Sequence, residues 1–144
     1  MESTVINKIT VTDDIAVITI TPPQKMPHLA YTLLCELSDK KINLITINTA
    51  LHGGITVAAS DKNVCEILKI TGRQNGVLTT VTGANSKISI LGENLDNTDF
   101  IVKKILDPLS EYNADIRLIS VSAHEISLIM PTYKIDPFLD EITK

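Results

Sequence analysis

The sequence predicts an α+β fold in which one βαββαβ pattern occurs twice. Two hairpin-like stretches, residues 42–60 and 114–131, have the same apolar pattern. Asn43 in the first aligns with Asp115 in the second, an offset of 72 residues that is half of the 144-residue chain. The apolar stripe of the long helix in each half recurs at the same offset. We therefore expect an internal duplication.

Two strands are predicted before the first helix. Residues 5–11 alternate between two faces and are rich in β-branched side chains, which places Ile6 and Ile9 on opposite faces. Residues 15–21 are almost wholly apolar or Thr, which is typical of a covered central strand. The polar Thr-Asp-Asp at 12–14 separates the two strands.

The first helix is expected to begin near Pro27. Pro22 and Pro23 end the preceding strand, and Pro27 suits a first helical turn, where its missing N–H is no loss. Apolar residues then recur on one side of a helix. They are Leu29, Ala30, Leu33, Leu34 and Leu37.

A β-hairpin, a short helix and a strand follow. The hairpin tip is His52-Gly53-Gly54, where two glycines supply the positive φ angles of a tight turn. Ser60 or Asp61 can cap the short helix, and Gly72 fits just past its end. The strand covers residues 77–82.

The second half repeats this order. A strand at 86–91 and a polar loop at 92–98 lead to a helix with apolar residues at 101, 102, 105, 106 and 109, each 72 residues after its counterpart. Pro108 lies inside that helix, so we expect a kink or an early end there. In the last helix, Asp136 and Pro137 resemble a cap followed by a first-turn proline.

The pattern leaves open where the N-terminal strand pairs. Residues 5–9 match 77–81 at the offset of 72, and the chain ends before the second half has its own closing strand. The N-terminal strand either completes the second unit or pairs within its own half. Either way, each unit has a four-stranded antiparallel sheet and two helices, the ferredoxin-like arrangement.

Composition narrows the class of partner. The net charge of −4 is mildly acidic, and no basic run reverses it locally, so we expect no nucleic-acid or anionic-membrane partner. No apolar run is long enough for a membrane span, and the first ten residues lack a secretory pattern. We expect a cytoplasmic protein, with Cys35 and Cys65 as buried free thiols in helices.

We find no catalytic or metal-binding constellation in the sequence. There is no GxSxG motif and no Cys-His pairing that favours a nucleophile. His52 and His124 are predicted at hairpin tips without Cys or carboxylates at metal spacing, so we expect exposed turn residues and no zinc. We expect no cofactor and no enzymatic activity.

With this predicted repeat, the chain resembles the paired ACT domains of aspartate kinases. The most specific part is Ile116–Pro131, IRLISVSAHEISLIMP, which is similar to the hairpin of that family's second ACT unit. The start INL at Ile42 is similar to the family's "INV". No Gly-rich nucleotide loop or Lys-Phe-Gly-Gly start of a kinase occurs. The resemblance implies a regulatory protein with a first unit at 14–83 and a second unit at 1–13 plus 84–144.

The resemblance also implies an amino-acid effector and a homodimer formed by sheet pairing of ACT units. In that family the effector lies between the loop after the first strand and the second strand of a neighbouring unit. The positions that correspond are Gln24, Lys25, Met26, Pro27, His28, Leu29, Asn43, Leu44, Asp115 and Ile116. Where the family usually has D-x-P-G, this chain has Lys25-Met26-Pro27-His28.

Two other functions are compatible with the same layout. An assembly subunit would use its open sheet edges for pairing and bind no ligand. An RNA-binding module would stack bases on sheet aromatics, but the tyrosines and phenylalanines are predicted in helices and a loop. The regulatory interpretation is therefore preferred, with the assembly subunit as its alternative.

Overall fold

The computed structural model describes residues 3–143. Its elements are β1 (Val5–Thr21), α1 (Leu29–Asp39), β2 (Thr46–Thr49), β3 (Ile55–Ser60), α2 (Val64–Thr71), β4 (Leu78–Glu93), α3 (Thr98–Phe100), α4 (Asp107–Glu111), β5 (Leu118–Val121), β6 (Glu125–Pro131) and α5 (Ile135–Ile142). A π-helical segment, Ile101–Leu106, joins α3 to α4. Short 3₁₀ turns, Asp61–Asn63 and Thr132–Lys134, precede α2 and α5.

The chain divides into two compact units, Asp14–Gly83 (the first unit) and Met1–Asp13 with Ala84–Lys144 (the second unit). In the first unit, β3 pairs antiparallel with both β1 and β2. In the second unit, β6 pairs antiparallel with both β4 and β5. β1 and β4 are neighbours in the strand order, and each contributes a segment to both units.

Each unit has its own apolar core. In the first unit it lies between the strands and helices α1 and α2, with Leu33, Val57 and Ile67 among its buried members. In the second unit Ile105, Leu128 and Phe138 are among the corresponding members. The mixed α/β architecture with antiparallel strands is confirmed, whereas the duplication of one ferredoxin-like unit stays a prediction.

The predicted separation of the first two strands is wrong. β1 runs without a break through Asp13 and Asp14, and β4 likewise joins the strands expected at 77–82 and 86–91. In each long strand one residue near the unit boundary has a positive φ angle, Asp14 at 60° and Ala84 at 54°. A single residue in this conformation redirects a strand while pairing continues on either side.

The N-terminal part of β1 packs within the second unit. Ile6 and Ile9 both contact that unit's core, so the expected placement on opposite faces is wrong. Side chains three residues apart share a face only where the alternation is interrupted, as in a β-bulge. Thr4 Oγ1 donates to the Asn94 carbonyl oxygen at 3.0 Å, and Asn94 Nδ2 donates to the Ser3 carbonyl oxygen at 3.1 Å.

The hairpin strands begin later than predicted. β2 starts at Thr46, and Ile42 is instead tied to the last turn of α1, where its N–H donates to the Leu37 carbonyl oxygen at 2.9 Å. At the tip only Gly53 has a positive φ angle, 97°. Gly54 instead gives room to a side chain, because a Cβ there would lie 2.9 Å from Nε2 of His52.

The chain stays helical through Pro108, so the predicted early end is wrong. The Asp107 N–H donates to the Val102 carbonyl oxygen, five residues back, which marks the wider π-helical turn. A proline ring clashes with the carbonyl four residues before it in a regular α-helix. The wider turn directly before Pro108 relieves that clash.

Three local expectations are also corrected. α1 begins at Leu29 with His28 at the cap position, after Pro27 rather than at it. α5 begins at Ile135, one residue before the expected cap Asp136. Cys35 and Cys65 are exposed rather than buried, because they lie on the outer sides of α1 and α2.

Candidate functional site

The loop between β1 and α1 presents a helix start without an acidic residue. The Leu29 N–H donates to the Met26 carbonyl oxygen at 3.0 Å, and the Thr32 N–H donates to the His28 carbonyl oxygen at 2.9 Å. The His28 side chain makes no capping hydrogen bond, and the first turn of α1 contains no acidic residue. The first N–H groups of a helix lack intrahelical acceptors and carry a partial positive charge, so this end of α1 favours an anion.

The hairpin tip lies against this loop. The Ala50 N–H donates to the Gly54 carbonyl oxygen at 2.8 Å, and the Gly53 N–H donates to the Ala50 carbonyl oxygen at 2.9 Å. A Cβ on Gly53 would lie 3.5 Å from the Cα of Lys25 and 3.7 Å from its Cγ. A glycine at this position satisfies the positive φ angle and keeps the space beside the lysine stem open.

A cavity of about 260 Å³ opens between the loop, the start of α1 and the hairpin tip. The loop, the helix and the hairpin all contribute to its wall. Its lining residues are Lys25, Met26, Pro27, Leu29, Ala30, Thr49, Ala50, Gly53 and Ile55. The cavity is therefore mostly apolar, and Lys25 and Thr49 are the polar residues of its lining.

A second cavity of about 190 Å³ shares Thr49, Ala50 and Ile55 with the first. Its other lining residues are mostly polar and include His52, Asn48 and three threonines of β1 and β3. Both cavities belong to the first unit, so the hairpin tip contributes to two recesses.

Of the residues expected in the loop, four line the first cavity, namely Lys25, Met26, Pro27 and Leu29. Gln24 and His28 lie in the same loop and are exposed, but they are not part of the lining. The hairpin-tip contributors Thr49, Ala50 and Gly53 were missed from the sequence. The glycine pair marked the tip as a turn but gave no sign of what it packs against.

The structure does not bring Asn43 and Leu44 to this cavity within the first unit. They follow the C-terminal end of α1, whereas the loop precedes its N-terminal end. Eleven residues of helix separate the two ends by about 16 Å. Asn43 is exposed and Leu44 packs against the core of the first unit.

Asp115 and Ile116 lie before β5 in the second unit. The Asp115 carboxylate forms an ion pair with the Arg117 guanidinium, whose Nε also donates to Oδ1 of Asn85 at 3.4 Å. Ile116 packs against the core of the second unit. The charge of Asp115 is thus balanced by a neighbour two residues away.

The loop between β4 and α3 is closed against its hairpin. The Leu95 N–H donates to the Ala123 carbonyl oxygen at 2.9 Å, and the Gly92 N–H donates to the His124 carbonyl oxygen at 3.0 Å. The Leu95 side chain is fully buried in the core of the second unit. Loop and hairpin tip are therefore joined by backbone hydrogen bonds here, unlike the loop that carries Lys25.

The described residues give no support to a metal centre or a membrane span. Among residues 3–143, no group of three or more His, Cys, Asp or Glu side chains is placed to hold a metal ion. His52 and His124 are exposed, as predicted. No helix in the described part of the chain is both long and apolar enough to cross a membrane.

Comparison with known proteins by sequence finds no matching family model and no matching curated protein. Solved structures do match. The regulatory subunit of aspartate kinase from Thermus flavus superposes with a TM-score of 0.83, at 18% identity over 96% of both chains. The chain has the fold of that regulatory subunit.

Two further structures with this aspartate kinase regulatory fold match equally well. The ligand-free regulatory subunit from Thermus thermophilus has a TM-score of 0.83 and 19% identity over 96% of this chain and 97% of that one. The aspartate kinase of Clostridium acetobutylicum has a TM-score of 0.83 and 17% identity, over 96% of this chain and 34% of that one. The resemblance to aspartate kinase regulatory domains is therefore confirmed at the level of the fold.

Proposed function

We propose that this chain is a non-catalytic regulatory protein of the ACT type, built from two ferredoxin-like units, and that its effector is an amino acid. The cavity of about 260 Å³ beside Lys25 is the observation that carries the proposal. A recess with mostly apolar walls and a few polar groups is the usual form of a small-molecule site. The similarity in fold to aspartate kinase regulatory subunits supports the regulatory class.

The effector's carboxylate would bind at the start of α1. The N–H groups of Ala30 and Tyr31 are in the first turn of α1 and have no intrahelical acceptor. A free carboxylate near them would gain hydrogen bonds and a favourable interaction with the helix dipole. Ala30 also lines the cavity, so a bound ligand would contact this turn directly.

The second half of the site comes from another copy of the chain. Asn43 and Leu44 are about 16 Å from the loop along α1 in the same unit, so they complete the site only of a neighbour. Asn43 is exposed and available for such a contact. Effector binding would then shift the assembly equilibrium, because the bound state requires both copies. Asp115 and Ile116 are the matching positions of the second unit.

An edge strand and an exposed helix face offer a surface for this homodimer. β2 pairs with β3 on one side. Within β2, Ile47 is 37% exposed, and the preceding helix α1 exposes Leu34 at 41% and Tyr31 at 71%. A hydrogen bond with Cys35 raises the pKa of the Tyr31 hydroxyl. Apolar side chains beside an open edge favour pairing with a second sheet.

A thermal-shift screen with the twenty amino acids at millimolar concentration tests the proposal. An effector at a hundredfold excess over its Kd stabilises the protein by about 2.7 kcal/mol, which raises the Tm of a chain this size by roughly 5–10 °C. Ala50→Trp fills the cavity from the hairpin side and should abolish the shift. Leu51→Trp is the matched control, because Leu51 is 96% exposed and lines neither cavity.

The outcomes separate the proposal from its alternative. If one amino acid stabilises the wild type and the Leu51→Trp variant but not Ala50→Trp, the site lies at the hairpin tip, where Ala50 lines both cavities. If no amino acid shifts the Tm, the chain is not an amino-acid sensor.

The alternative function is an assembly subunit that binds no ligand. The exposed apolar residues beside β2 favour it, because they would be covered in a dimer without any effector. Tyr31→Asp should convert a dimer to a monomer in light scattering after gel filtration. Tyr133→Asp is the control, because Tyr133 is similarly exposed, 77%, on the 3₁₀ turn before α5. A wild-type mass equal to one chain would contradict this alternative.

A further inference from the structure

We propose that the effector of the first unit carries a second acidic group, as dicarboxylic amino acids do. The inference rests on the proposed function, since it concerns the chemistry of the same cavity. Three observations carry it, namely the charge of the residues that line the cavity, the position of Lys25 and the volume of the cavity.

The charge among the residues that line the cavity is positive only. Of the nine residues that line the cavity, Lys25 is the one with an ionised side chain, and the others are apolar apart from Thr49. No lining residue is acidic. A ligand whose side chain bears an ammonium group would meet a like charge there, whereas a carboxylate side chain would meet an opposite charge.

The position of Lys25 makes the selection specific to the ligand's side chain. Its stem lies against the hairpin tip, with the Cα and Cγ atoms 3.5 and 3.7 Å from a Cβ built on Gly53. The start of α1 forms a different part of the wall, through Leu29 and Ala30. One carboxylate can occupy the helix start while the other interacts with the ammonium group, so both positive features favour the same ligand with two carboxylates.

The volume suits a small diacid. The cavity of about 260 Å³ is several times the roughly 30 Å³ that one water molecule occupies in the liquid. It therefore has room for a four-carbon dicarboxylic amino acid.

Calorimetric titration of the full chain tests the inference. The ligands are L-aspartate, L-glutamate, succinate, L-lysine and L-threonine, each titrated into the wild type and two variants. Lys25→Gln removes the ammonium group from the wall and should weaken the dicarboxylic ligands about tenfold. Lys62→Gln makes the same charge change at an exposed position of the same unit outside the lining, and should leave every Kd within about twofold.

Each outcome decides one question. If aspartate or glutamate binds the wild type at least tenfold more tightly than lysine and threonine, and Lys25→Gln removes that difference, the inference holds. If lysine or threonine binds more tightly, the inference is overturned while the proposed amino-acid function stands. If succinate alone binds, the second acidic group is supported and the amino-acid part of the proposed function is overturned. If none of the five ligands binds, the inference is overturned, and the screen of all twenty amino acids decides whether the proposed function stands.

Discussion

Gly92→Ala tests whether the N-terminal strand lies in the second unit. Gly92 is buried in β4, directly against the chain of β1. A Cβ at this position would collide with the Val5 carbonyl oxygen and would lie 3.0 Å from the Val5 carbonyl carbon and 3.1 Å from the Ile6 Cα. All three atoms belong to the backbone, so no side-chain rotation relieves the overlap. The strand itself must move.

The expected loss of stability follows from the contacts that this movement of the strand breaks. Forcing an extra methyl group into a packed site costs about 1–3 kcal/mol when side chains can adjust. Here the chain near Val5 must separate from β4, which also strains the two hydrogen bonds that tie Ser3 and Thr4 to Asn94. Each such bond contributes about 1 kcal/mol. We therefore expect a loss of about 3 kcal/mol and a Tm lower by roughly 6–12 °C.

Urea unfolding followed by circular dichroism measures the change, and β4 supplies a matched control. Gly83 lies in the same strand, and a Cβ built there meets no atom within 4 Å. Gly83→Ala should change stability by less than about 1 kcal/mol, toward stabilisation, because alanine restricts the unfolded chain. Hydrogen exchange over residues 5–12 should accelerate in Gly92→Ala and not in Gly83→Ala.

Equal urea midpoints for the two variants would refute the reasoning. That result would mean that β1 does not approach Gly92, and the placement of residues 3–13 in the second unit would fail with it. Destabilisation of Gly92→Ala without faster exchange in residues 5–12 would locate the strain elsewhere and would also contradict the argument.

Two further predictions concern the loop between β4 and α3. Asn97 Oδ1 accepts a hydrogen bond from the Phe100 N–H at 3.0 Å. Asn97→Ala should therefore lower the free energy of unfolding in urea by about 1 kcal/mol, and Asn97→Asp, which keeps the cap, should lower it less. Equal losses of stability in the two variants would contradict the capping role. Leu95→Ala should lower the free energy of unfolding by about 3 kcal/mol, because it empties a fully buried position. The control Leu51→Ala, at a position that is 96% exposed, should change the urea midpoint little. Similar midpoints for the two variants would show that Leu95 does not seal the loop.

Apolar periodicity predicted the helices well. Leu29, Leu33 and Leu37 are buried on one side of α1, and Phe138 and Ile142 are buried in α5. These residues recur at the spacing that brings them to one face of a helix, and burial of that face stabilises the helix. The antiparallel hairpins were predicted for the same reason, since apolar alternation on β3 and β6 needs a covered face.

The junctions between elements could not be predicted in the same way. Asp14 and Ala84 take positive φ angles inside continuous strands, and neither a polar run nor an alanine distinguishes a redirected strand from a loop. The π-helical turn before Pro108 is a second case, because the sequence shows the proline but not how the preceding turn widens. In both places tertiary pairing decides the backbone, and local composition does not.

The candidate site was only half visible in the sequence. The loop residues Lys25, Met26 and Pro27 were placed by resemblance and line the cavity. The opposite wall comes from the hairpin tip, whose contribution depends on how Gly53 approaches Lys25. Such an approach is a property of packing between elements about 28 residues apart, so periodicity carries no information about it.

The two loops differ in how they are joined to their hairpins, and this difference favours the first unit as the location of the proposed regulation. In the second unit, the Leu95 N–H holds the Ala123 carbonyl oxygen and the leucine side chain fills the core. In the first unit, Lys25 and Gly53 both line an open cavity, and a Cβ built on Gly53 would lie 3.5 Å from the Cα of Lys25. A ligand can supply there the connection that the second unit already has. Binding can change the order of a loop only where the loop is not already fixed, so an effector that bound in the first unit would have a conformational change to drive.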